Sequence, residues 1–147
     1  MAAGVTVEQM KDRHLLILLA PFAGLAVLLV YFWNLPWTLM RWIGAGMIVA
    51  GFSLWTVAHV QLGASFTASA QARKLVTHGI YSKIRNPIYV FGSIGLAGVC
   101  LFVGKPVILL AFLVLIPVQV VRARKESRVL EAAFGEEYRR YRAGTWF

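Results

Sequence analysis

Acid is scarce in this sequence. Six Asp and Glu stand against fifteen Lys and Arg, a formal net charge of +9 over 147 residues. Asp12 is the sole aspartate and lies in the N-terminal tail, so a Ser-His-Asp triad has no buried acid to build on. Cysteine is scarcer still. Cys100 stands alone inside an apolar run, which excludes an intrachain disulfide and reads as a small buried hydrophobe. His14, His59 and His78 lack metal-ligand spacing, and one cysteine cannot complete a zinc site, so no metal is expected. No glycine-rich phosphate loop or βαβ pattern is present to hold a nucleotide. Charge of either sign makes up only 14% of the residues, where soluble domains carry about 25%.

What fills the space is hydrocarbon. The chain is 59% hydrophobic with a mean hydropathy of +0.70. Disorder is excluded, because disordered chains lack apolar side chains to bury. A nucleic-acid binder is a poor match for long uncharged runs, so no nucleic acid is expected. The basic excess suits anionic lipid headgroups and membrane orientation instead. The expectation is one domain over residues 1–147: an all-α integral membrane protein in the lipid bilayer.

Four apolar runs mark candidate spans at residues 15–33, 42–62, 88–103 and 107–121. A straight crossing takes about 20 residues. The last two runs are shorter, and Gly104-Lys105-Pro106 between them signals a tight helical hairpin. The first run is too long for a signal-peptide core and reads as a retained span. Of the Lys and Arg residues, all but Arg41 and Lys105 fall in the N-terminal tail, between the second and third runs, or after the fourth. That asymmetry puts both termini and the 63–87 segment in the cytoplasm. Arg41 then lies near the outer interface, where it can snorkel. Gly46 and Ala50 in the second run, and Gly92, Gly95 and Gly98 in the third, are positions for close helix approach.

Two cytoplasmic segments hold most of the polar side chains. The first, residues 75–89, runs from Leu75 and Val76 through Gly79, Tyr81, Arg85, Asn86, Pro87 and Ile88 to Tyr89. Asn86 can cap the helix that Pro87 begins. Such a density of Tyr, His, Arg and Asn exceeds what a connector requires. The second follows the fourth run. Pro117 is expected to kink that helix, and Arg122 and Glu126, four apart, share a face. As a surface ion pair they would contribute a few tenths of a kcal/mol, and Arg before Glu is the less favourable order. Residues 122–141 continue as a cytoplasmic helix, with Phe134, Tyr138 and Tyr141 at helical intervals.

Taken together, these segments resemble the isoprenylcysteine carboxyl methyltransferase family. The likeness rests on Leu75-Val76-Thr77, Gly79, Tyr81 and Arg85-Asn86-Pro87 with Tyr89. A hydrophobic hairpin follows, then Glu126 with Leu130, and Phe134-Gly135 with Tyr138 and Tyr141. It covers roughly the C-terminal half, and membrane phospholipid methyltransferases share a looser version. Asn86 stands where histidine is commonest, and Ser127 replaces a second glutamate. The resemblance implies S-adenosylmethionine as cofactor, with Arg73, Lys74, Leu75, Val76, Tyr81, Asn86, Pro87, Ile88 and Tyr89 lining its pocket. It implies that Glu126 holds polar groups of the cofactor. Arg122, facing a substrate carboxylate, and Arg85 are then the catalytic candidates. The implied activity is O-methylation of a carboxylate on a lipid-linked or membrane-partitioned acceptor. The alternatives are N-methylation of a phospholipid headgroup, and a non-catalytic protein that binds anionic lipid.

Overall fold

A computed structural model describes residues 7–63 and 75–147. Its described residues are helical apart from turns and one isolated parallel bridge, Ile84 to Trp146. The helices are α1 (Val7–Phe32), α2 (Leu39–Leu62), α3 (Pro87–Phe102) and α4 (Phe112–Ala143), with 3-10 turns at Gly79–Ser82 and Pro106–Ala111. The chain divides into two compact units, Met1–Trp37 and Thr38–Phe147. In the first unit, α1 leaves Leu15, Leu16, Leu19, Val27 and Val30 exposed, a surface suited to hydrocarbon rather than water. Just beyond it, Trp33 and Trp37 meet edge to face at 6.2 Å.

The second unit is built on an antiparallel pair. Thr38 begins α2, its hydroxyl accepting from the Arg41 N–H, and Gly63 ends the helix at φ 50. The helices α2 and α3 touch backbone to backbone. A Cβ on Gly44 would sit 2.6 Å from the Phe102 nitrogen, and one on Gly51 would collide with the Gly95 backbone. One on Gly98 would lie 2.8 Å from the Gly44 carbonyl. Hydrocarbon lipid gives apolar helices little reason to associate, so close van der Waals approach through small residues holds the pair. The expected contact residues are partly corrected here. Gly95 and Gly98 serve as anticipated and Gly92 abuts Trp55, but Gly46 faces open space and Ala50 is exposed. The contact falls instead on Gly44 and Gly51, on a different face of α2.

Arg41 is a second correction. It does not snorkel: its side chain is buried, with Nε donating to the Phe102 carbonyl at 3.1 Å and the guanidinium 5.5 Å from the Phe102 ring. A cation at the carboxyl end of α3 meets the negative pole of that helix. Gly104, at φ 76, turns the chain back into the Pro106–Ala111 segment, as its sequence signals.

Two helical stretches, Leu39–Leu62 and Pro106–Ala143, are long and apolar enough to cross a membrane. The apolar parts of α1 and α3 are shorter, at Leu19–Phe32 and Pro87–Phe102. Sixteen residues of α3 extend about 24 Å, below a hydrocarbon core of about 30 Å. Over the described residues the fold is therefore all-α with two helices of spanning length, two fewer than the apolar runs alone suggest.

Inside α4 the non-helical backbone is at Gly135 (φ 51, ψ −118), not at Pro117. Pro117 falls in the first turns of α4, next to the 3-10 stretch where the hydrogen-bond ladder is already changing register. The expected kink is not seen: the backbone around Pro117 keeps helical angles. At Gly135 the backbone needs a φ that side-chain-bearing residues rarely adopt.

Candidate active site

The polar loop is held against the ends of α2 and α3 by a small apolar core. Ala58, Val76 and Tyr81 are buried together, with Leu62 and Ile88 packed on them. Gly79 opens the 3-10 turn at φ 61, and a Cβ there would collide with the side chain of Gln61. That side chain takes the place: Gln61 Oε1 accepts from the Ile80 N–H at 2.9 Å. Ser82 closes the turn by donating to the Gly79 carbonyl at 2.7 Å. The next residues pair with the chain after α4. Trp146 donates to the Lys83 carbonyl at 3.0 Å, Arg85 to the Trp146 carbonyl at 3.2 Å, and Asn86 to the Phe147 carbonyl at 3.0 Å.

Pro87 is fully buried at the first position of α3. Asn86 occupies the cap position, but its side chain makes no cap bond. Its main-chain carbonyl instead accepts from Tyr89 and Val90.

One turn into α3, the Tyr89 hydroxyl donates to Glu126 Oε1 at 2.6 Å. The Arg122 guanidinium lies 5.9 Å from the Tyr89 ring centre. Arg122 and Glu126 therefore do not form the helical ion pair that their spacing allows; the carboxylate turns to α3 and the exposed cation sits over the ring. Four residues further along α3, Ser93 donates to Gln119 Oε1 at 3.0 Å. Side chains rather than close backbone approach join α3 to α4.

Tyr81 completes the cluster. It is 6% exposed, and among the described residues its hydroxyl has no hydrogen-bond partner. Burial, and then the nearby Tyr141, Glu126 and Tyr89, push that phenol well above its ordinary range, so it stays a neutral donor. Tyr141 donates its hydroxyl to the Tyr81 carbonyl at 2.8 Å. Burial and neighbouring Tyr138 push the Tyr141 phenol up to about 12, with Arg85 opposing the rise. Arg85 keeps its Nε buried and, among the described residues, unpartnered.

The structure thus brings together Tyr81, Arg85, Asn86, Tyr89, Arg122 and Glu126 of the residues expected from the sequence. Leu75 is half-buried, Val76 and Ile88 pack in the loop's apolar support, and Pro87 is buried at the start of α3. Arg73 and Lys74 lie outside the described residues. Sequence reasoning passed over Gln61, Ser93, Gln119 and the 145–147 strap. The signal for the first three was available, as polar side chains within apolar runs. Among the described residues no group of three or more His, Cys, Asp or Glu could hold a metal ion.

The arrangement offers a carboxylate with one oxygen uncommitted, a buried phenol with a free donor, a guanidinium over an aromatic face at Arg122, and a second guanidinium at Arg85. Comparison with curated proteins and with solved structures returned no match. The family model for phospholipid methyltransferases matches residues 38–137. That match opens on the first residue of the second compact unit and takes in α2, the polar loop, α3 and α4 through Glu137. Two helices of spanning length and a match over about two thirds of the chain agree: the chain belongs to the phospholipid methyltransferase family and is a membrane methyltransferase.

Proposed function

We propose that the protein transfers a methyl group from S-adenosylmethionine to a carboxylate oxygen of a lipid-linked or membrane-partitioned acceptor, in the manner of isoprenylcysteine carboxyl methyltransferases. The observation that carries this reading is the separation of Glu126 from Arg122. Glu126 is committed to Tyr89, leaving Arg122 exposed over the Tyr89 ring, available to an anion.

The residues fit the cofactor. The unpartnered Tyr81 hydroxyl and Arg85 Nε are buried polar groups awaiting a ligand, since leaving them bare costs about 1–3 kcal/mol each. Glu126 would hold an amine or a ribose diol through its second oxygen, a charge-assisted bond. The faces of Tyr89 and Tyr81 suit a sulfonium cation, and Arg85 suits the carboxylate of the amino-acid tail. When bound, the cofactor supplies an electrophilic methyl group on a positively charged sulfur. The chain's own task is alignment. Arg122 fixes the acceptor anion by a planar two-point contact, and the apolar flanks of α3 and α4 exclude water. An ionised carboxylate needs no general base. This agrees with a site whose carboxylate already accepts a hydrogen bond from Tyr89.

The family match favours a second reading, methylation of a phospholipid headgroup nitrogen, with Arg122 on the lipid phosphate. That amine has to lose a proton, and the carboxylate beside it, Glu126, already holds Tyr89 through one oxygen and is assigned to the cofactor through the other. In either reading the site and both termini face the cytoplasm, following the basic residues. Purified protein incubated with methyl-labelled cofactor and total membrane lipid, with and without a synthetic prenylcysteine, separates the two. Base-labile label is expected. Base-stable label would replace the ester reading with the amine one, and no transfer at all would defeat both.

A further inference from the structure

The bond between Ser93 and Gln119 lies on the apolar side of the site, within runs otherwise free of charge. Polar side chains at that depth are expensive and are kept where they line a path or meet a ligand. The bond uses only half of the amide. Ser93 donates to Oε1, and the Gln119 amide N–H groups meet no acceptor among the described residues. With Oε1 turned to Ser93, the NH2 group points away from it. Gln119 also precedes Arg122 by three residues, about 4.5 Å along α4 and on nearly the same face. Two donors of different kind therefore stand in line, a cation nearer the charged end and a neutral amide nearer the hydrocarbon.

We infer that Gln119, oriented by Ser93, is a specificity-determining residue that receives a carbonyl oxygen of the acceptor between its anionic head and its hydrocarbon chain. The inference rests on the reading of Arg122 as the anion site and narrows the acceptor class. The preferred acceptor carries an ester or amide linkage about one helical turn from its anion. An ether, thioether or plain methylene there leaves the amide hydrogens unpaired. The competing explanation is that the pair only fastens α3 to α4, a role in which interhelical bonds contribute modestly. Fastening gives no reason for discrimination between linkages.

Four probes in nonionic micelles decide it: N-dodecanoylglycine against S-dodecylthioglycolate, and diacyl- against dialkyl-phosphatidylethanolamine of equal chain length. Dissociation constants are measured with and without S-adenosylhomocysteine. In wild type, the carbonyl member of at least one pair is expected to bind about fivefold tighter, the worth of one neutral hydrogen bond. Gln119→Leu should bring that ratio to one, and Ser93→Ala should lower it partway. Arg122→Ala should weaken both members equally. Retained affinity for S-adenosylhomocysteine shows that each variant is folded. A ratio of one in wild type, a preference surviving Gln119→Leu, or no binding of any probe overturns the inference. Failure of wild type to bind S-adenosylhomocysteine overturns the cofactor reading instead, and the linkage ratio measured without it still judges Gln119.

Discussion

The helix α3 has two neighbours and treats them in opposite ways. Toward α2 it presents Gly95 and Gly98, and the two backbones meet with no room for a methyl group. Toward α4 it presents Tyr89 and Ser93, which reach across to Glu126 and Gln119 through hydrogen bonds. The first face is a fastening, where van der Waals packing of small residues suffices and chemistry is absent. The second keeps a spacing between backbones and fills it with groups that can exchange partners. A membrane enzyme needs both: one rigid interface to hold a reference frame, and one polar interface that a ligand can enter.

The contrast breaks most readily at the glycine face. Gly51→Ala is expected to cost about 1–3 kcal/mol, because the methyl meets backbone that cannot swing aside. Gly46→Ala, on the same helix with open space around it, should be neutral or gain about 0.5–1 kcal/mol from helix propensity. Thermal unfolding in detergent compares the two directly. Equal effects would mean that α2 and α3 do not meet through Gly51.

The polar face is tested by ligand affinity rather than by stability. Glu126→Gln should weaken S-adenosylhomocysteine binding by about 1–2 kcal/mol, as a charge-assisted bond becomes a neutral one. Arg122→Ala should leave that affinity intact and raise the acceptor KM or lower kcat. Lysine at position 122 should rescue poorly, since a point charge lacks the planar fork. Calorimetric titration beside steady-state kinetics reads this division, and parallel losses in both variants would refute it.

A smaller effect on cofactor affinity is expected where α4 bends. Gly135→Ala has steric room but must hold a φ of 51, at a cost of about 1–3 kcal/mol. If the last turns realign, Tyr141 leaves the Tyr81 carbonyl, and the site loop loses one of its ties. Cofactor affinity should then fall a fewfold, and Tyr141→Phe should reproduce that loss without the strain. Affinity lost in Gly135→Ala but kept in Tyr141→Phe would assign the bend some other duty.

The smallest signature is in alkaline pH. The folded-state pKa of Tyr141 rises from an ordinary 10.0 to about 12. Below pH 10 the phenol is protonated in folded and unfolded chains alike. Between pH 10 and 12 the unfolded chain loses the proton first, so this tyrosine's contribution to stability declines as pH rises through that window. The fall in melting temperature there should be shallower in Tyr141→Phe, and an unchanged slope would detach Tyr141 from the buried cluster.

Much of the framework is legible in the order of residues. Apolar runs mark helices because only helices satisfy their own backbone in hydrocarbon. Pro87 opens α3 and Gly104 turns the chain, since both act through local backbone geometry. The residues of the polar loop are close in sequence, so their convergence near the start of α3 can be anticipated. Other features are hidden for a common reason. Arg122 and Glu126 satisfy the spacing of a helical ion pair, yet Glu126 prefers a tyrosine thirty-seven residues away. Gly46 and Ala50 satisfy a small-residue pattern as well as Gly44 and Gly51 do, and only the rotation of α2 about its axis chooses between them.

Composition and neighbours along the chain suffice to set the solvent of this protein, its helical class and the residues of its polar loop. Which partner each polar group takes is settled only when the helices pack. Arg41 goes to the end of α3, Gln61 to the 3-10 turn, Tyr141 to the Tyr81 carbonyl and Gln119 to Ser93. Hydrogen bonds are short-ranged and directional, so their pairing is fixed only once helix rotation and spacing are set.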